Sequence, residues 1–312
     1  MILRQQAFTG LNGHFLKGGL HCHTTRSDGK LSPEETIRLH AENGYDFLAL
    51  TDHRFYNFEN YAPDTDVLII PGMEIDATLT NGKGMCYHTV ALGPEADKNG
   101  YAQDETVPNG KVACAEEFQP YVDELIRKNN IAMYCHPDWS RTPARQFEDI
   151  KGYFGMEIWN SGCVIEDNMD VDNGLIWDEL LVEGHRLYAT AVDDGHQREH
   201  HCKGWVMVNA EKNVSSILSA LQEGKFYSSC GPMIYDFYVE DDFAYCVTSP
   251  VKKLRFITGL RPTRLYQAEE GQYLTRFKVS VKDQLYTRLM IEDEKGCRAW
   301  SNPIFLKQNS KV

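Results

Sequence analysis

The sequence predicts an α/β protein that ends in a small all-β domain. Strand-length apolar runs alternate with helical stretches through roughly the first 225 residues, and ligand-type residues stand at the C-terminal ends of those runs. From about residue 228 only alternating, β-rich runs follow. Helix alternating with strand builds βα units around a mostly parallel sheet or barrel. In a barrel the strand C-termini converge on one face, so residues far apart in sequence can meet there.

The elements follow in order. GGLHCH (18–23) reads as a strand end. SPEETIRLHAENG (32–44) carries Ser32 as N-cap, Pro33 in the first turn, Glu35 at the capping-box position and Gly44 as terminator, which marks a helix. YDFLALTDH (45–53) and DVLIIPGMEI (66–75) are apolar runs that end in or near polar residues, and the helix candidate 116–130 precedes the run IAMYCHP (131–137). GLIWDELLVEG (174–184) is helical in pattern, and RLYATAVDDGH (186–196) is another strand ending in acids and histidine. The boundaries drawn are 1–227 for the α/β unit and 228–312 for an antiparallel β domain, expected as a sandwich.

Composition narrows the function. The 312 residues are 42% hydrophobic with 12 prolines, which suits a globular protein with a sizeable core. The net charge of −13 argues against a large basic surface for nucleic acid, since phosphate-backbone binding needs clustered Lys and Arg. Bound divalent ions would reverse the local sign and leave a phosphorylated small molecule open as substrate. Nine scattered cysteines without a CxxC pair fit a reducing compartment, and no apolar run of membrane length or secretory leader is evident, so a cytoplasmic location is expected.

Six of the eleven histidines fall in short motifs, most of which also carry carboxylates: His21 and His23 in HCHTTRSDG, His53 in LTDH, His88 in CYHTVAL, His136 in CHPD and His196 in DDGH. His21 and His23 are two apart, so on an extended strand both imidazoles project to one side and can share an ion. Neutral imidazole suits Zn, Mn or Fe, and a carboxylate can bridge two ions. Glu74, after VLIIPGM, is the expected bridge, with Asp28 and His53 placed for a peripheral ion. Cys22 and Cys135 neighbour ligands on extended runs and should face the other way. His14, His40, His185, His200 and His201 lack motif partners and are expected in surface or capping roles.

The ordered set His21, His23, Ser27-Asp28-Gly29, Thr51-Asp52-His53, Gly72 with Glu74, His88, His136-Pro137 and Asp194-Gly195-His196 resembles the motifs of the PHP (polymerase and histidinol phosphatase) superfamily over most of residues 17–200. The resemblance implies a distorted (βα)7 TIM-like barrel, two to three divalent ions and hydrolysis of phosphate esters. It implies a first ion held by His21, His23, Glu74 and Asp194, a second by Glu74, His88 and His136, and a third by Asp28, His53 and His196. The mechanism expected is attack by a metal-bridged hydroxide on phosphorus.

Arg26 is the expected phosphate clamp because its planar fork suits a phosphoryl group, with Arg141 and Arg198, each just beyond a ligand motif, as further candidates. Asp52 or His196 could protonate the leaving oxygen, and Asp52 could equally orient a ligand histidine. Glu157 and Asn160 in MEIWN could line the pocket or form a buried pair. Trp139 and Trp159 could wall the substrate, although aromatics after strands usually belong to the core.

GKFYSSCGP (224–232) and AWSNPIFL (299–306) resemble two-domain members of the carbaryl-hydrolase type, so a metal-dependent carbamate, amide or ester hydrolase is the alternative. A non-catalytic, metal-stabilised binding module and a proofreading exonuclease are weaker readings, the latter because of the acidic charge. The expected partner is a small phosphorylated molecule rather than a membrane or nucleic acid, and the β domain could mediate homo-oligomerisation.

Overall fold

A computed structural model describes residues 2–10, 15–81, 83–98, 100–166, 172–260 and 264–307. His14 lies outside them.

The helix expected after Ser32 spans Pro33–Glu42, and the capping box is present: Ser32 Oγ accepts from the Glu35 amide while Glu35 accepts from the Ser32 amide. This helix buries Thr36, Ile37 and His40. The helix predicted over 116–130 spans Ala115–Arg127 and packs Phe118, Val122 and Leu125 into the core, and that predicted over 174–184 spans Gly174–Val182.

The strands of the α/β part divide between two sheets. One runs Tyr188–Val192, Tyr153–Asn160, Ile131–Tyr134, Cys86–Leu92, Gly72–Leu79, Gly110–Val112. The other contains Trp205–Val208, Leu16–Gly19, Phe47–Ala49 and Leu68–Ile70, the last three parallel to one another. The two meet at isolated bridges, Cys22 with Gly195 and His53 with Glu74.

Among the described residues the structure shows the expected α/β class in two sheets joined at isolated bridges, without the continuous hydrogen bonding of a closed (βα)7 barrel. Five α-helices are present among the described residues, too few for seven βα units. Gly72–Leu79 and Cys86–Leu92 pair antiparallel from Gly72 against Leu92 to Thr78 against Cys86. The reason lies in the connection: residues 80–85 are too few to carry a crossover helix, so the chain turns straight back.

The C-terminal part is β-rich, as expected. Leu3–Arg4, Ile234–Glu240, Phe243–Val251 and Leu274–Ser280 form a four-stranded antiparallel sheet. Its inner residues, among them Ile234, Phe237 and Cys246, pack with Leu254, Phe256, Leu289 and Ile291 in one cluster. The boundary drawn at 227/228 falls within the strand Phe226–Ser229, which pairs with Trp205–Val208 on one side and Arg298–Ser301 on the other, so one ten-stranded sheet runs through it. No disulfide joins the cysteines of the described residues. No helix among the described residues is long and apolar enough to cross a membrane.

Candidate metal centre

His21 and His23 follow directly on the strand Leu16–Gly19. Between them Cys22 turns into a core of Ile37, Leu48 and Leu50, while the two imidazoles share the opposite side. Cys135 is buried in the core as expected, yet its sulfur also lies within ligand reach of His21 and Glu157. His53 follows Phe47–Ala49, Glu74 and His88 lie diagonally across the antiparallel pair, with Glu74 opposite Val90 and His88 opposite Asp76, and His136 follows Ile131–Tyr134. Asp194 and His196 follow Tyr188–Val192. His136 (φ 25°) and Asp194 (φ 48°) both adopt left-handed backbone, the kind of strain that clusters at functional sites.

Glu74 is the hub. Its Oε1 lies 2.9 Å from His88 Nδ1 and 3.4 Å from His136 Nε2; its Oε2 lies 3.0 Å from His53 Nδ1, 3.4 Å from His23 Nε2 and 3.5 Å from His21 Nε2. Asp194 Oδ1 stands 3.0 Å from His23 Nε2 and 3.2 Å from His21 Nε2. Asp28 stands at the rim, 3.5 Å from His196, 3.7 Å from His53 and 3.7 Å from His23. The nine ligand candidates thus come together. The grouping differs in one respect from the expected one: His53 is closer to Glu74 than to Asp28.

The donor set fits divalent metal ions. His21 Nδ1 is engaged by Glu157 at 2.7 Å, which leaves Nε2 to face His23 Nε2 at 3.1 Å, two lone pairs converging on one point. Asp194 Oδ1 and His53 Nδ1 are buried without a hydrogen bond despite these short approaches, because the atoms aim at a common centre rather than at one another. Groups of three or four ligand atoms within 4.8 Å form at His21, His23 and Asp194, at His53, Glu74 and His88, and at His23, Asp28, His53 and His196. Imidazole and carboxylate are the ligands of Zn, Mn and Fe sites.

Supporting residues fix this geometry. Asp52 accepts from the Thr24 amide (2.8 Å), Thr24 Oγ1 (2.8 Å), the Ser27 amide (3.1 Å) and Ser27 Oγ (2.9 Å), so it holds the turn that carries Asp28. A side chain at Gly29 would meet the His23 carbonyl oxygen at 2.4 Å, so this close turn needs glycine. Asn160 donates to Glu157 (2.9 Å) and Asp194 (3.0 Å). Outer partners of this kind set ligand orientation and tautomer.

Several expected roles change accordingly. Asp52 is not a proton donor at the cavity, because both of its oxygens are committed to the turn. Arg26 points away from the cavity to Asn57, Tyr61 (2.6 Å) and Asp104, so it is no phosphate clamp. Arg141 and Arg198 are exposed and do not line the cavity, and Asn160 is a buried positioning residue rather than a substrate contact. His40, His200 and His201, expected in surface or capping roles, are buried; His200 does cap, its Nδ1 accepting from the amides of His196 and Gln197, while the rings of His40 and His201 pack edge-on in the interior.

The cavity over the histidines holds about 290 Å³ and is walled by Lys30, Trp139, Glu166 and Gln197 as well as by the ligands. Trp139, 43% exposed, sets its ring edge-on to His88 and His136. Lys30 is the single lysine or arginine among the described lining residues. Sequence reasoning missed it, although it directly follows the Asp28-Gly29 turn. The role of Glu157 as the partner of His21 was signalled only by a lone acid in the apolar run YFGMEIWN.

Charge coupling shapes the titration of the metal-free centre. Burial pushes the Glu74 carboxyl up, but His88, His53 and His21 outweigh it and hold it well below the usual range. Asp194 is held low in the same way by His21 and His23. Burial disfavours charge on His21, His88 and His53, yet the carboxylates raise all three, and Asp28 with Asp194 raises His196 to about 9. Burial dominates at His23 and at His201, lowering the first and bringing the second to about 3.

The signs define an optimum. Raised histidines contribute stability that is complete below an ordinary value of roughly 6.5 and is lost as pH climbs through their folded values. Lowered histidines and carboxylates lose theirs as pH falls. The metal-stripped chain should therefore melt highest near pH 6.5, by about the same linkage, and lower toward both pH 4 and pH 9. Thermal melts in chelator across that range check this, and a melting temperature still rising between pH 7 and 9 would contradict it.

An α/β scaffold whose strand ends gather six histidines around buried carboxylates presents a donor set suited to several divalent metal ions. Residues 19–227 match the PHP domain, and the chain belongs to the PHP domain family. Over 80 residues it is 39% identical to a 5'-3' exoribonuclease of Haemophilus influenzae; the match covers 24% of this chain and spans 28% of that relative's length. Its fold is similar to a two-domain protein of Bacteroides vulgatus described as containing a "predicted PHP-like metal-dependent phosphoesterase" (TM-score 0.44, 15% identity, 91% of this chain and 92% of that one). It is also similar to an amidohydrolase from Chromobacterium violaceum with bound sulfate and no metal (TM-score 0.40, 17% identity, 67% and 96%).

Proposed function

We propose that this chain is a metal-dependent phosphoesterase that cleaves a small phosphorylated metabolite, a nucleotide or sugar phosphate mono- or diester. The observation that carries this reading is Glu74, a carboxylate 1% exposed with five histidine nitrogens between 2.9 and 3.5 Å from its two oxygens. His21, His23, Asp28, His53, Glu74, His88, His136, Asp194 and His196 would hold two or three Zn, Mn or Fe ions, which would supply water activation and neutralise phosphoryl charge.

The chain's own groups do the rest. Glu157 and Asn160 hold His21 and Asp194 in orientation, and Asp52 holds the turn of Asp28. Lys30, at the cavity wall, binds a phosphoryl oxygen, and the exposed face of Trp139 offers a flat surface to a base or sugar ring. A cavity of about 290 Å³ suits a small molecule or one chain end. The likeness to a 5'-3' exoribonuclease keeps a phosphodiester among the substrates to be tried.

That Lys30 is the single lysine or arginine among the described lining residues favours a second reading, in which a carbamate, amide or ester carbonyl is the electrophile. One experiment separates the two: hydrolysis of phosphomonoesters, phosphodiesters and carbamates with Mn or Zn added, in wild type and Lys30→Ala. Phosphate release with KM raised about tenfold in Lys30→Ala, the worth of one charged hydrogen bond, is the expected outcome. Turnover of carbamates alone, indifferent to Lys30, would replace the phosphoesterase reading with the second.

A further inference from the structure

Apart from the residues that line the cavity, the interior holds another group of ligand atoms. His40, Asp193 and His201 are 0%, 1% and 3% exposed, and one ligand atom from each lies within 4.8 Å of the others. They come from separate elements: His40 from the helix Pro33–Glu42, Asp193 from the end of the strand Tyr188–Val192, and His201 from the loop beyond it. We propose that these three residues hold a structural divalent ion of the zinc class, separate from the hydrolytic cluster.

The hydrogen bonds leave room for little else. His40 Nδ1 is 2.8 Å from the Thr36 carbonyl oxygen, to which it donates, so its Nε2 presents a lone pair toward Asp193 Oδ2 at 3.3 Å. Asp193 is held as an anion by the amides of Cys202 (2.7 Å), Lys203 (2.8 Å) and Gly204 (2.9 Å) and by Ser161 Oγ (3.2 Å). His201 packs its ring edge-on to His40 at 5.4 Å, and neither of its buried nitrogens has a hydrogen-bond partner. A proton on His40 would satisfy that residue and Asp193 but would leave both nitrogens of His201 unpaired. A cation answers all three residues at once, and imidazole nitrogen and carboxylate oxygen are both ligands that zinc takes.

The site has a mechanical consequence. Asp193 precedes Asp194, and the 193–204 loop carries both Asp194 and His196. The His201 ring lies so close to Gly195 that a Cβ there would meet its Cε1 at 2.4 Å. An ion shared by His40, Asp193 and His201 pins this loop to the first helix and so fixes two ligands of the neighbouring cluster.

Crystals of the wild-type chain grown with zinc and measured on both sides of the zinc absorption edge test this. The expected result is an anomalous peak about 2.0–2.2 Å from His40 Nε2, from Asp193 Oδ2 and from one His201 nitrogen, in addition to any in the cluster. No peak among these atoms, whatever the occupancy of the cluster, overturns the proposal. In solution, His201→Asn and His40→Gln should each bind one zinc fewer per chain than wild type, and equal counts in a folded variant would likewise overturn it.

Discussion

Glu74→Gln is expected to lower metal-supported hydrolysis by more than the roughly 10–100-fold that follows loss of a ligand's outer partner, because here the ligand itself is neutralised. The substitution keeps the shape of the side chain but removes the charge and one of the two acceptor oxygens that face His88, His136, His53, His23 and His21. Metal content should fall with activity. The fold should persist, since residue 74 stays in register opposite Val90 within a paired strand. Elemental analysis beside kcat, with far-ultraviolet circular dichroism as the folding control, measures all three. Undiminished turnover would remove Glu74 from the centre.

The largest stability effect is expected away from the centre, at Arg288. This guanidinium, 2% exposed, forms a bidentate pair with Asp178 (2.8 and 2.7 Å) and sits 4.6 Å from the centre of the Trp177 ring, joining the strand Tyr286–Glu292 to the helix Gly174–Val182. Removing one partner of a fully buried pair costs about 3–5 kcal/mol. Asp178 is about one-quarter exposed, so solvent screening brings Arg288→Ala to about 2–4 kcal/mol. A fall in melting temperature of about 3–6 °C is the expected reading for a chain of 312 residues. Arg288→Met, which keeps apolar contact with Trp177, should lose less. Equal melting temperatures for wild type and Arg288→Ala would show that the pair contributes nothing net.

The residues that gather at the centre were legible because each of their motifs is local. His21-Cys22-His23 alternates on extended backbone, and the alternation alone sends Cys22 into the core and both imidazoles to one side. The capping box at Ser32 and Glu35 is equally local, and the helix begins where those residues place it. The expected substrate-binding residues failed for the opposite reason. Arg26 is next to a ligand turn in sequence, but Tyr61 and Asp104, which claim its guanidinium, are 35 and 78 residues away. Asp52 sits in a ligand motif, yet its oxygens belong to Thr24 and Ser27.

By itself the sequence determined the α/β class, the β-rich C-terminal segment and the nine residues that gather around Glu74, since each is written in local periodicity or in short motifs at strand ends. The tertiary structure decided which strands pair, that the chain doubles back between residues 79 and 86, and that a sheet runs through residue 227. It also decided that Lys30 rather than Arg26 faces the cavity and that His40 and His201 meet Asp193 in the interior. These are pairings between residues tens to hundreds of positions apart. They are set by which long-range partner satisfies a buried polar group, and no local pattern encodes that choice.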